Sequence, residues 1–148
     1  MSSEKPLFHL AFPVTDLEAT RTFYVDVLGC ATGRESERWI DFDFWGHQVV
    51  AHLVEPEEHP AAAHNPVDGQ SIPAFHFGPI LPWDELNELS GRLEAQGIAY
   101  VVEPNVRFEG RRGEQKTLFV ADPSGNHLEF KAFRDLEMVF AKDDLLYA

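Results

Sequence analysis

From Leu7 to Val14, large apolar residues alternate with small or polar ones. Phe8, Leu10 and Phe12 fall on one face, His9 and Ala11 on the other, and Pro13 ends or frays the pairing. This pattern predicts a strand. Thr15 or Asp16 can cap the next stretch, where Leu17, Thr20, Phe23, Tyr24, Val27 and Leu28 recur at helical spacing before Gly29, a residue suited to a helix C-terminus. Extended runs follow at about Ala31 to Arg34 and at Arg38 to Trp45, where Ile40, Phe42 and Phe44 alternate with Trp39, Asp41 and Asp43. Gly46 turns the chain into a further strand from His47 to Glu55. Residues 56–72 are polar and contain proline, so they read as a linker whose His59 and His64 are expected to be solvated.

The second half repeats the first. Phe75-His76-Phe77-Gly78 matches Phe8-His9-Leu10-Ala11: a histidine between two large apolar residues, then a small one. Pro82-Trp83-Asp84-Glu85 opens a helix that buries Leu86, Leu89, Leu93 and Ala95, and Gly97 ends it. A short strand over Ala99 to Val102, a polar loop over Glu103 to Glu114 and a strand over Lys116 to Ala121 lead to Asp122-Pro123-Ser124-Gly125, a tight turn. The last strand, Asn126 to Phe133, puts Leu128 and Phe130 on one face and His127, Glu129 and Lys131 on the other. An exposed, charge-bearing face is the alternative for that strand. Each half is therefore βαβββ, an internal repeat with residues 7–55 as the first module and 73–133 as the second. The tail, 134–148, has partial helical spacing and no assigned place.

With 148 residues, the chain suits one compact domain or two small halves sharing a core. Its net charge of −13 argues against nucleic acid, whose binding depends on neutralising phosphates with Lys and Arg, and against an anionic membrane surface. No apolar run is long enough to span a bilayer. The polar start Met1-Ser2-Ser3-Glu4-Lys5 lacks the apolar region of a signal peptide, so a soluble, cytoplasmic protein is expected. The single Cys30 cannot form an internal disulfide and is expected to pack.

Equivalent positions in a repeat tend to be related by pseudo-symmetry, so His9 and His76 should begin equivalent strands. If the helices cover the faces bearing the bulky residues, His9, His76 and Glu129 all point away from them. Two imidazoles and a carboxylate form a set suited to Fe(II), Mn(II), Zn(II) or Ni(II), with positions left open for water or substrate; buried core histidines are the alternative. Aligning the fourth strands through their turns puts Gly46 with Gly125, Gln48 with His127 and Val50 with Glu129. His52, two positions beyond Val50, could be a fourth ligand, an acid/base group or a lining residue. His52 and His127 are the candidates for proton transfer. Arg107 and Lys116 could attract an anionic substrate, and Phe108 could supply an aromatic wall.

The segments from Phe8 to Leu17, Phe23-Tyr24 with Val27-Leu28-Gly29, Phe75-His76-Phe77 and Asp122 to Phe130 together resemble the vicinal oxygen chelate superfamily. Glyoxalase I, extradiol dioxygenases and the bleomycin- and fosfomycin-resistance proteins belong to that group. The resemblance implies an α+β fold, with two paired βαβββ modules forming a cup-shaped, partly open eight-stranded sheet around a divalent metal. It also implies a homodimer and a small-molecule substrate that chelates the ion through vicinal oxygens. His9, His76 and Glu129 occupy three of the family's ligand positions. Val50 stands at the fourth, where glyoxalase I carries a carboxylate, so the resemblance favours Fe(II) and a dioxygenase-like reaction. A glyoxalase-type lyase or isomerase and a non-catalytic small-molecule binding protein are the alternatives.

Overall fold

The computed structural model describes residues 4–67 and 69–142. Residues 1–3, Asp68 of the linker and 143–148 of the tail lie outside the described residues. The chain divides into two compact units, Met1–Ala61 with Asp122–Asn126, and Ala62–Ala121 with His127–Ala148. Among the described residues, no helix is long and apolar enough to cross a membrane.

In the first unit, β1 (His9–Val14) leads into α1 (Leu17–Arg21), which continues as a π-helical stretch over Thr22–Val27. The predicted helix is present, but its second half is wound more widely, with Leu28 N–H donating to Phe23 O at 3.0 Å. Asp16 is the cap, its carboxylate accepting from Ala19 N at 3.0 Å. β2 (Ala31–Glu35), β3 (Trp39–Phe44) and β4 (His47–Leu53) complete a sheet of order β1-β4-β3-β2, in which β1 runs parallel to β4. Tyr24 stacks on Phe42 at 5.0 Å between ring centroids and packs against Phe12 at 5.6 Å. The helical segment therefore covers the face of Phe12 and Phe42. Strand alternation turns His9, Asp41 and Gln48 the other way.

The turn from Asp122 to Asn126 is fixed in this unit by a buried polar network. Asp122 Oδ2 accepts from the Tyr24 hydroxyl at 2.9 Å and from Asn126 Nδ2 at 3.0 Å, while Oδ1 accepts from the backbone N–H of Ser124 and of Asn126. Asn126 Nδ2 also donates to Pro13 O, and His59 Nε2 donates to Asn126 Oδ1 at 3.0 Å. His59 was expected to be solvated; instead it is tied into the turn, because Asn126 has an acceptor left over.

The second unit begins with a hairpin, β5 (His64–Val67) and β6 (Gln70–Pro73), in the stretch expected to be linker. Gly69, at φ +78°, supplies the turn that an Asp-Gly pair favours. His64 stays exposed, as expected, with its ring lying edge-on to His127 at 6.1 Å. After α2 (Trp83–Ala95) come β7 (Tyr100–Arg107), β8 (Gln115–Ala121) and β9 (His127–Phe133), in the order β7-β8-β9. β7 takes up five residues of the expected polar loop. It does so despite Pro104, because the register shifts between Val102 and Asn105 and the missing N–H falls where pairing is already broken. The expected first strand of this module is reduced to two parallel bridges, Phe77 to Leu128 and Ile80 to Lys131. Pro79, lacking an N–H, stands between them. Both units thus share one order, with the leading segment parallel to the last strand.

Candidate metal and ligand site

Register lays two rows of side chains across the second sheet. Val102 pairs with Phe119 and Phe119 with Glu129; Asn105 pairs with Thr117 and Thr117 with Lys131. Lys116, one position out of step, donates from Nζ to Asn87 Oδ1 of α2 at 2.6 Å, so its face is the helix face. The rows through Glu129 and Lys131 therefore face away from α2. They line a cavity of about 230 Å³, together with Val67 and Ile72 of the hairpin, His76 and Arg107.

Glu129 is held at both its backbone and its carboxylate. Its N–H donates to Phe77 O at 3.0 Å. Lys131 Nζ lies 3.0 Å from Oε1, and His76 Nε2 lies 3.6 Å from Oε2. The Glu129 side chain is only 11% exposed. His76 is fixed by a different partner: Nδ1–H donates to Pro73 O at 2.8 Å, and the ring stands edge-on to Phe119 at 5.0 Å. A neutral imidazole that donates from Nδ1 carries its lone pair on Nε2, the atom turned to Glu129. Two acceptors thus face each other across 3.6 Å. Ion–ligand bonds of about 2.1 Å at a tetrahedral angle would set such atoms roughly 3.4 Å apart. The pair fits a divalent cation, and the Pro73 carbonyl plays the orienting part usual behind a metal-ligating histidine. Among the described residues, no group of three or more His, Cys, Asp and Glu side chains is assembled to hold an ion alone.

Gly78 makes this placement possible. A Cβ built there would lie 1.7 Å from the Glu129 carbonyl oxygen, far inside contact distance. Gly78→Ala is expected to push the 77–80 segment off β9, costing about 1–3 kcal/mol of stability and loosening Glu129. Thermal unfolding alongside metal titration checks both effects; a variant with wild-type stability and wild-type ion affinity would show that the close approach does not matter.

In the first unit, His9 donates from Nδ1 to Gln48 Oε1 at 2.7 Å, and Gln48 Nε2 donates to Asp41 Oδ2 at 3.3 Å. The carboxylate can only accept, so it sets the Gln48 amide with its oxygen toward His9, and His9 too keeps its lone pair on Nε2. Nothing in the sequence pattern had singled out Gln48 or Asp41 for this part. Gln48→Leu removes the acceptor, and ¹⁵N shifts of the ring should move from the Nδ1–H tautomer towards Nε2–H. An unchanged tautomer would mean that Gln48 does not set it.

Of the other candidates, His127 is half-buried against His64, and His52 lies exposed on β4. Arg107 reaches the cavity, its guanidinium carbon 4.9 Å from the centre of the Phe108 ring. Phe108 itself sits at φ +56°, an uncommon conformation for a bulky residue. The sequence reading did not single out Lys131, Thr117 or Phe119. Strand parity with Glu129 was the signal for Lys131; the other two needed the cross-strand register.

Comparison with known proteins agrees with this architecture. Residues 7–130 match the family model described as the Glyoxalase/Bleomycin resistance protein/Dioxygenase superfamily. A crystal structure of a glyoxalase/bleomycin resistance protein/dioxygenase from Alicyclobacillus acidocaldarius is 33% identical, with a TM-score of 0.74, covering 95% of this chain and 100% of that one. The virulence protein STM3117 of Salmonella typhimurium is 26% identical over 125 residues, 84% of this chain and 82% of that protein. The fosfomycin resistance protein FosX of Listeria monocytogenes, 18% identical at a TM-score of 0.67 over 91% of this chain and 98% of that one, shares the fold. With most of its length matched by that model, the chain belongs to the Glyoxalase/Bleomycin resistance protein/Dioxygenase superfamily.

Proposed function

We propose that the protein is a metal-dependent enzyme acting on a small molecule that chelates the ion through two neighbouring oxygens, with Fe(II) and a dioxygenase-type reaction as the leading case. The observation that carries this reading is the pair of facing acceptors, His76 Nε2 and Glu129 Oε2, on a cavity wall. His9 is proposed as the third donor because it stands at the repeat-equivalent position and its Nε2 lone pair is likewise left open. Val50 at the repeat equivalent of Glu129 supports a three-residue set over a four-residue one. A divalent ion there would supply Lewis acidity toward the substrate's oxygens, and iron would add redox access to dioxygen. His127, on the same face of β9 as Glu129, and His52 are proposed to move protons.

One observation favours a second reading, a small-molecule binding protein without turnover: the Lys131 ammonium already satisfies one oxygen of Glu129. Oxygen uptake by Fe(II)-loaded protein over a panel of catechols separates the two. Isomerisation of a methylglyoxal–glutathione hemithioacetal by Ni(II)- or Zn(II)-loaded protein tests the lyase alternative. Turnover that needs the ion and disappears in Glu129→Gln supports the enzyme. Tight ligand binding with no turnover under any of these ions would overturn it in favour of the binding protein.

A further inference from the structure

We infer that Thr117 and Asn105 form a polar subsite in the cavity of the second unit, one that takes a hydroxyl carried by an otherwise apolar, single-ring ligand. This rests on reading the cavity as the ligand site, and it adds which group of the ligand is read there and by which side chains.

Thr117 is 7% exposed, and its Oγ1 is buried with no hydrogen-bond partner among the described residues. Burying a hydroxyl unanswered is costly, so an unpartnered one on a cavity wall points to an occupant. Strand β8 places it there: Thr117 pairs with Asn105 on one side and Lys131 on the other, and all three line the cavity. The Lys131 ammonium is taken by Glu129 at 3.0 Å. Asn105 is only half committed. Its Nδ2 donates to Glu103 O at 2.8 Å, which fixes the orientation of the amide, because a carbonyl can only accept. Oδ1 is left as an acceptor on the row of the Thr117 hydroxyl. Side chains directly across an antiparallel pair stand about 5 Å apart at Cβ, yet these two make no hydrogen bond with each other. One oxygen between them, accepting from the Thr117 O–H and donating its own proton to Asn105 Oδ1, answers both. A hydroxyl does this. A carbonyl or ether has no proton for Oδ1, and an ammonium has no lone pair for the Thr117 O–H.

The surroundings set the rest of the ligand. Val102 and Phe119 form the adjoining row, and Val67 and Ile72 of the hairpin add an apolar side. At about 230 Å³ the space is smaller than the 300–1,000 Å³ typical of drug-sized ligands, so a single ring fits. Rows two residues apart along a strand are separated by roughly 7 Å. The hydroxyl is therefore read about one ring's width from the Glu129 row, at the end of the ligand away from His76 and Glu129.

The test compares phenol with toluene, alike in shape and different by the hydroxyl, titrated by NMR into chelator-treated protein so that no bound ion takes part. Because toluene is the more apolar of the two, the readout is the change in the ratio of their dissociation constants between wild type and Thr117→Val. That ratio is expected to move about fivefold against phenol, the equivalent of one hydrogen bond, while toluene binds the variant as well as the wild type. Thr117→Ser, which keeps the hydroxyl, should retain the wild-type ratio. Without ligand, Thr117→Val should unfold at the wild-type temperature or higher, since it removes a buried hydroxyl that nothing satisfies. A ratio unchanged in Thr117→Val overturns the inference, whatever becomes of the metal reading. So does a marked loss of stability in that variant, because the hydroxyl would then be holding a structural water. Failure of both probes to shift cavity resonances overturns it together with the cavity as ligand site, and metal content still reports separately on His76 and Glu129.

Discussion

Glutamine in place of Glu129 is expected to weaken divalent-ion binding about 100-fold or more while leaving the fold in place. The amide keeps the size of the carboxylate but loses its charge, so His76 Nε2 no longer faces an anionic donor across the 3.6 Å gap. Stability should change little, since the lost pair with Lys131 involves an ammonium that is 31% exposed and can be rehydrated. Competition against a fluorescent chelator gives the affinity, and circular dichroism confirms the fold. Unchanged affinity in a folded variant would place the ion elsewhere.

The largest expected loss of stability lies at Asp122, away from the cavity. Asp122→Ala leaves the buried Tyr24 hydroxyl, the Ser124 and Asn126 backbone N–H groups and one Asn126 amide interaction without their acceptor. Removing one partner of a buried charged network costs about 3–5 kcal/mol, on the order of 10 °C in a chain of this length. Urea and thermal unfolding measure it, and a loss below about 1 kcal/mol would mean that the turn is held by packing alone. The same network gives an alkaline prediction. Burial, and then the neighbouring Asp122 carboxylate, push the Tyr24 phenol well above its ordinary value of 10.0. Below that value the phenol is protonated in both folded and unfolded chains, so this stabilisation is fully present. As pH rises beyond it, the unfolded chain releases the proton and the folded one does not, and stability falls. Tyr24→Phe should show a shallower alkaline decline.

The features legible in the sequence were those that depend on local pattern. Alternation marked the strands of Phe42 and of Leu128 with Phe130, and Asp16 and Gly29 bounded the helical segment. Misjudged features depended on partners distant in sequence. The 56–72 stretch contains only four-residue strands, too short for periodicity to show, so its Asp-Gly turn was the one hint of a hairpin. Pro104 broke the strand signal locally, although β8 supplied a full-length neighbour that carried pairing through to Arg107. Lys116 and Lys131 look alike in sequence; register decides that one meets Asn87 and the other Glu129. The carbonyl of Pro73 behind His76 and the amide of Gln48 behind His9 have no sequence signature, because each needs only an acceptor at the right distance.

The central claim is that His76 and Glu129 hold a divalent ion, and metal content tests it most directly. Tag-free protein purified without chelator would be analysed by inductively coupled plasma mass spectrometry, for wild type and His76→Ala, with His9→Ala examined for the third donor. The account predicts near-stoichiometric metal in the wild type and loss in both variants, with iron favouring dioxygen chemistry and nickel, zinc or manganese favouring isomerisation or transfer. Wild-type protein that carries no metal, and takes up none when Fe(II), Mn(II), Ni(II) or Zn(II) is supplied, would contradict it.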